Sequence, residues 1–415
     1  MTGPAPSWVP GTDDPEGPFP LDNLPCGVFS TAGTGPRCGV AIGRSVLDIA
    51  ALEAGGELDF GGALGTRAWN AFMARGPADW ARLREALTKM LGAGSRAEVR
   101  LRRHLIPLSD AALHMPFAVT EYTDFYAGRH HAENVGTMFR GPEEALPPNW
   151  LHMPIGYNGR TSSVVVSGTP VRRPVGQLKA PEDAAPRFAP SERLDFELEM
   201  GAVVGRASDG PLTVAEADAA IFGYVLLNDW SARDIQAWEY RPLGPFQSKA
   251  TATTISPWIV TAAALAPFRV PTPTREVPVL DYLREPGPTL HDVTLEAVLA
   301  PEGGAGTVIA RTTMRELYWS PAQQLAHHAS SGCPMRVGDL LGTGTISGPA
   351  RENRGSMLEL SWGGRDPVAV EGSTRRFLED GDTVILRGHA QGDGYRIGFG
   401  DCAGQVRPAR PQASA

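Results

Sequence analysis

RLDFELEMGAVVG, Arg193–Gly205, reads as a β-strand. Side chains alternate between the two faces of a strand, so Asp195, Glu197 and Glu199 line one face and Phe196, Leu198 and Met200 the other. Three carboxylates in a row repel one another. Either that face is solvated or a cation compensates it. A ligand set made only of oxygens suits a hard ion, Mg²⁺ or Ca²⁺, rather than zinc. The same thirteen residues therefore predict sheet structure and a candidate metal site.

Outward from this strand, similar signals multiply. Ser162–Ser167, Ile221–Leu227, Met357–Trp362 and Thr383–Leu386 read as strands, and Asp393–Gly400 as a tightly turned sheet segment rich in glycine. The 48 glycines and 37 prolines are spread along the chain and favour short strands joined by turns. Thr272–Arg284 and Ala300–Gly306 read as surface excursions. Before a boundary near Leu113–Phe117 the pattern differs. Cys26–Ser30 and Cys38–Ile49 read as strands around a turn at Gly33–Pro36. Two amphipathic helices are expected, Thr66–Arg75 with Trp69, Phe72 and Met73 on one face, and Pro77–Leu91 with Trp80, Leu83, Leu87 and Met90 at helical spacing. A chain of 415 residues is long for one core, and two domains are expected, 1–116 and 117–415.

Composition excludes several classes. The net charge of −8 argues against nucleic-acid binding and against attraction to anionic membranes. Residues 1–36 contain no Lys or Arg and no apolar core, so no signal peptide is expected. The apolar stretches Ala219–Leu227 and Thr261–Pro267 are too short to span a bilayer. Cys26, Cys38, Cys333 and Cys402 form no C-x-x-C pair, which argues against disulfides and a zinc site. A cytoplasmic protein is expected.

Four further stretches carry chemistry. TDFYAGRHHAENVGTMFRG, Thr123–Gly141, gathers Asp, Tyr, two His, Glu and two Arg in what reads as a loop. IFGYVLLNDWSARDIQAWEY, Ile221–Tyr240, reads as a buried strand ending before Asn228 and Asp229. A helix follows, with Ser231 and Asp234 spaced as a capping box. Arg233, Gln236 and Tyr240 then share one helix face, while Trp230, Ile235 and Trp238 supply the buried side. That stripe is either solvated or suited to a polar ligand. Lys249 stands alone among small and hydroxylated residues, as a surface lysine or a placed electrophile. Thr343 and Thr345 occupy a glycine-flanked turn. Glu359 reads as a strand residue opposite Leu358 and Leu360, exposed or paired with a histidine.

Taken together, DFYAGRHHAENVG, NWLHMPIGYNGRTSSVVVSGTP, RLDFELEM, LLNDWSARDIQAWEYRPLGPF, TTISPW, GDLLGTGTISG, GSMLELSW and GHAQGDGYRIGFG resemble the fumarylacetoacetase family, in order and over nearly the whole chain. The resemblance implies a mainly β fold. An N-terminal SH3-like barrel domain would precede a C-terminal β-roll that carries the active site, in a homodimer. Carried over position by position, it implies metal ligands at Asp124, Glu197, Glu199 and Asp229, with a second metal contact at Lys249 and Thr253. It implies a base at His131, its partner at Glu359, and Arg233, Gln236 and Lys249 facing the reacting carbonyl. Substrate contacts fall on Tyr126, Arg140, Tyr157, Gln236, Tyr240 and Thr345. The chain departs from the family at Asn158, where His is usual, and at Ser248 and Ala252, where Gly is usual.

The implied activity is metal-dependent cleavage of 4-fumarylacetoacetate to fumarate and acetoacetate, the last step of tyrosine and phenylalanine breakdown. One rival is a related enzyme acting on another 1,3-dicarbonyl acid, an acylpyruvate-type hydrolase or decarboxylase. The other is a non-catalytic scaffold on the same fold.

Overall fold

A computed structural model describes residues 3–410. Its strands assemble into one sheet of thirteen strands, one of six and four two-stranded ribbons. The structure is mainly β, as expected. In the large sheet, strand Leu198–Val204 lies between Ile221–Asp229 and Leu340–Gly342. Leu340–Gly342 pairs in parallel with Tyr122–Phe125, which sets Gly342 opposite Asp124. Four neighbouring strands thus bring Asp124, Glu199 and Asp229 to one region, although these residues are distant in sequence. The six-stranded sheet packs behind, built on Thr294–Ala300 and Thr383–Gln391.

The N-terminal segment does not stand apart from this sheet. Its strand Cys26–Ser30 pairs with Trp258–Thr261, extending the sheet towards Arg37–Ile42 and Ser45–Leu47. One apolar cluster joins Trp69, Phe72, Leu83 and Leu87 to Val203, Phe222, Leu227 and Leu340. Trp69 is fully buried and donates its indole N–H to the Gly27 carbonyl at 2.8 Å, so a large apolar body comes with a satisfied polar atom. Among the described residues no helix is long and apolar enough to cross a membrane.

Several elements differ from the sequence reading. The strand expected over Cys38–Ile49 folds into a hairpin. It comprises Arg37–Ile42 and Ser45–Leu47, with Gly43 at φ 56° in the turn, and Asp48 then caps a helix at Ile49–Ala54. The helix expected over Thr66–Arg75 contracts to Asn70–Met73, whereas Pro77–Leu91 forms as expected, with proline in its first turn. Leu194–Val204 is broken into Leu194–Asp195 and Leu198–Val204, so the alternation of Asp195, Glu197 and Glu199 along one strand does not hold. Thr123–Gly141 is not a loop: strand Tyr122–Phe125 ends at the turn before a twelve-residue helix, Arg129–Arg140. Met357–Leu360 is a single helical turn rather than part of a strand.

Candidate active site

The helix Arg129–Arg140 carries His131, buried on its inner side. Its Nδ1 lies 2.6 Å from Glu359 Oε2. Glu359 is buried in the turn Met357–Leu360 and accepts from Ser347 Oγ at 2.9 Å, Ser356 Oγ at 2.8 Å and Asn134 Nδ2 at 2.9 Å. Burial pushes its pKa up, but the charge and hydrogen bond of His131 and the bonds from Asn134 and Ser356 outweigh that and hold it at about 2. Glu359 is therefore an acceptor, Nδ1 carries the proton, and Nε2 is left free. Nε2 is 3.9 Å from Glu197 Oε1.

Asp124, Glu197, Glu199 and Asp229 are all buried and offer carboxylate oxygens within 4.8 Å of one another. Among the described residues, Asp124 and Glu199 have no ion-pair partner, and Asp124 Oδ1 and Glu199 Oε1 have no hydrogen-bond partner. Burial, then the charges of the neighbouring carboxylates, raise both well above the ordinary carboxylate range. Gly342 supplies the room, since a Cβ there would collide with Asp124 Oδ1 and crowd Glu199. Orphaned buried oxygens, mutual repulsion and an oxygen-only donor set fit a hard divalent cation. Asp195 is not part of this group. It sits before the break between the two strands and pairs with Arg233.

Lys249 and Thr253 touch the same cluster. Lys249 Nζ contacts Glu197 and lies 3.0 Å from Asp229 Oδ2, and Thr253 Oγ1 donates to Asp229 Oδ1 at 2.9 Å. Burial alone lowers the Lys249 ammonium pKa, but Asp229 and Glu197 raise it overall, so it stays charged. The family glycines replaced by Ser248 and Ala252 are not required by backbone geometry, because neither residue has positive φ. The turn is held instead by Glu239, whose carboxylate accepts from the backbone N–H groups of Phe246, Gln247 and Ser248.

A cavity of about 310 Å³ opens over these groups. Asp124, Glu197, His131, Arg233, Gln236 and Lys249 reach its floor, while Tyr126, Arg140, Tyr157, Tyr240 and Thr345 line its sides. Glu199, Asp229, Thr253 and Glu359 support it from beneath. The face predicted for Arg233, Gln236 and Tyr240 is real, and Arg233 Nη1 donates to Gln236 Oε1 at 3.1 Å. The capping box is not. Ser231 donates to the Asp229 carbonyl, and Asp234 accepts from Ser191 and Glu192 instead. Trp238 is 42% exposed rather than buried, and its indole donates to Gln177. Arg140 donates to the carbonyls of Glu144 and Ala145, at 2.9 and 2.6 Å. Tyr157 donates to Asp229 Oδ2 at 3.0 Å.

Asn134, Ser347 and Ser356 were not singled out from the sequence. Asn134 lies three residues after His131, one helical turn on, and that spacing becomes a signal only once the segment is seen as a helix.

The chain can be compared with known proteins. Residues 22–116 match the description "Fumarylacetoacetase N-terminal" and residues 120–407 match "Fumarylacetoacetate (FAA) hydrolase C-terminal". Fumarylacetoacetase of Homo sapiens is 48% identical over 419 residues, covering 97% of this chain and 99% of the relative. Fumarylacetoacetase of Arabidopsis thaliana is 46% identical over 408 residues, covering 95% and 96%. A solved fumarylacetoacetate hydrolase from Exiguobacterium antarcticum shares the fold, with a TM-score of 0.54 and 17% identity over 93% of this chain and 100% of that one. Two matched segments that together span nearly the whole length, and relatives this similar from end to end, place the chain in the fumarylacetoacetase family.

Proposed function

We propose that the chain hydrolyses the carbon–carbon bond of 4-fumarylacetoacetate, giving fumarate and acetoacetate. The observation that carries this reading is the pairing of His131 with Glu359, which leaves Nε2 free beside a buried carboxylate cluster and three polar donors in one cavity. Nε2 takes a proton from water, and the hydroxide attacks the carbonyl on the fumaryl side. The Glu359 carboxylate steadies the imidazolium as it forms, as the acid does in a Ser-His-Asp triad. Arg233 lines the cavity, held through Nε by Asp195 and through Nη2 beside Glu197 Oε1 at 2.8 Å, and its positive charge stabilises the new oxyanion. Gln236 and Lys249 approach from the same side. When the carbon–carbon bond breaks, its electron pair stays on the acetoacetate carbon, which takes up the proton held at Nε2. A divalent ion bound by Asp124, Glu197, Glu199 and Asp229 would supply Lewis-acid polarisation of the two carbonyl oxygens.

The finer expectations belong to the same reading. The ion is Mg²⁺ or Ca²⁺, Lys249 and Thr253 contact it or its ligands, and the chain divides at residue 116 into an SH3-like barrel and a β-roll. The active form is a homodimer in the cytoplasm, at the end of tyrosine and phenylalanine breakdown. The pairing among Cys26–Ser30, Arg37–Ile42, Ser45–Leu47, Leu105–Pro107 and Ala112–His114 supports the barrel. The hydrolase reading is tested by the loss of diketone absorbance from synthetic 4-fumarylacetoacetate, with and without a chelator, beside a panel of acylpyruvates. Cleavage of the acylpyruvates in preference, or no cleavage at all, would overturn it.

A further inference from the structure

Asp195 is fully buried and does not line the cavity, yet four donors converge on its carboxylate. Oδ2 accepts from Arg233 Nε at 2.8 Å and from the Leu358 backbone N–H at 3.0 Å. Oδ1 accepts from the Met357 N–H at 2.7 Å and from its own neighbour, Phe196 N–H, at 2.8 Å. Met357 and Leu358 open the helical turn that carries Glu359, and such first-turn N–H groups have no partner within a helix. Ser356 Oγ takes the next one, from Glu359, at 3.3 Å. One side chain therefore grips two parts of the site from behind. One is the guanidinium that faces the reacting carbonyl. The other is the turn that presents the base's carboxylate partner.

Resting on the hydrolase reading above, we propose that Asp195 is a positioning residue that sets Arg233 and the His131–Glu359 pair in a fixed relation to each other. The chemistry needs that relation. The proton leaves towards His131 while the oxyanion forms towards Arg233, so both groups must suit one transition state, and small misplacements cost much of the rate. Arg233 and Glu359 come from different elements: Arg233 begins the helix Arg233–Glu239, and Glu359 lies in a turn more than a hundred residues later. No direct hydrogen bond or ion pair joins them. Asp195 is bonded to both elements. The ribbon pairing of Asp195 with Ser231, just before Arg233, fixes the backbone on one side, and the bonds to Met357 and Leu358 fix it on the other.

A carboxylate is suited to this place because every contact is a donor. In Asp195→Asn the amide NH₂ must face either the Met357 N–H or the Arg233–Leu358 pair, so at least one grip is lost while the volume is kept. The variant is compared with the native protein at matched metal loading. The expected result is a kcat lower by about 100-fold, similar to the loss of one oxyanion donor, with KM changed less than threefold. Deuterium exchange of the peptide spanning Gly355–Ser361 is also expected to accelerate, a readout that needs no substrate. The loss caused by Asp195→Asn should shrink in both the Arg233→Ala and the Glu359→Gln backgrounds, because residues acting as one unit are not additive. If Asp195→Asn does not fold, Asp195→Glu, which keeps the charge but displaces it, serves in the same measurements. Native kcat and exchange in a folded variant would overturn the assignment. So would a loss that multiplies fully in either background, since that leaves one grip without effect. If the native protein fails to cleave 4-fumarylacetoacetate, the hydrolase reading falls separately. The exchange measurement then decides alone whether Asp195 holds the Glu359 turn.

Discussion

Glu359→Gln isolates the charge of the carboxylate from its shape. All four contacts of the Glu359 carboxylate are donors: His131 Nδ1, Ser347 Oγ, Ser356 Oγ and Asn134 Nδ2. Glutamine can keep its carbonyl on the side of His131 and the two serines. Its NH₂ group then meets Asn134, which can turn its own amide to present an oxygen. The fold should therefore survive, and what disappears is the negative charge beside the imidazole. The Glu359 pKa falls from 4.5 to about 2 through these contacts, foremost His131, despite the opposing effect of burial. A hydrogen bond to a charged group is worth about 1.5–3 kcal/mol. If most of that stabilisation is available to the imidazolium formed in the transition state, kcat drops by about 100-fold. KM should change little, because Glu359 does not reach the cavity. The assay is loss of diketone absorbance from 4-fumarylacetoacetate, with melting temperature as the control for folding. Combined with His131→Ala, the second substitution should add almost nothing. A Glu359→Gln enzyme within threefold of the native rate, or losses that multiply in the double variant, would refute this account of the base.

Three other outcomes are expected. Chelation should abolish turnover and lower the melting temperature, with Mg²⁺ or Ca²⁺ restoring both, whereas Glu199→Gln should raise the melting temperature of the chelated protein by removing one of the crowded charges; calorimetry with and without added ion separates the two signs. Arg233→Ala should cost about 100- to 1,000-fold in kcat and also about 3–5 kcal/mol of stability, read by urea denaturation, because Arg233 is only 3% exposed and its loss leaves Asp195 and Glu197 short of a partner. His291 is fully buried, neither ring nitrogen has a partner among the described residues, and burial with some help from Arg269 lowers its pKa to about 3, so the unfolded chain binds its proton first and stability is lost as pH falls from about 6.5 towards 3; His291→Phe should flatten that loss by about 1.4 kcal/mol per pH unit in denaturation curves between pH 6 and 4.

The parts of the site that the sequence disclosed are those where charge had to be answered. Glu197 and Glu199 alternate with Phe196, Leu198 and Met200, and charges crowded among apolar residues need a partner whatever backbone carries them, whereas Asp124 and Asp229 were assigned as ligands only by the family resemblance. The stripe of Arg233, Gln236 and Tyr240 was legible because helical spacing alone places it on one face. Asp195 shows the limit of the same reasoning. Alternation put it beside Glu197 and Glu199, but the strand ends at Asp195, and Glu197 instead makes a lone bridge to Ser356. Asp195 accepts instead from the backbone N–H groups of Met357 and Leu358, and a contact with residues so distant in sequence leaves no mark on the strand's own pattern.

Two of the misread backbones, Arg129–Arg140 and Met357–Leu360, carry the base and its partner. Periodicity reports a difference between an inside and an outside. Met357, Leu358, Glu359 and Leu360 are all buried, so no solvent face exists to set a period, and Leu-Glu-Leu fits a strand as well as a helical turn. In Arg129–Arg140 the helix runs unbroken through Gly136, but glycine is a poor helix former and weakens the helical signal in the sequence. Yet a Cβ at Gly136 would run into the Ala145 carbonyl and press on the Arg140 guanidinium that binds it. The glycine that hides the helix from the sequence is thus the one that lets the following segment close over it and hold Arg140 at the rim of the cavity. Where elements cross closely enough to build a site, the residues chosen for the crossing override those that would announce the element, and the chemistry stays readable after the backbone does not.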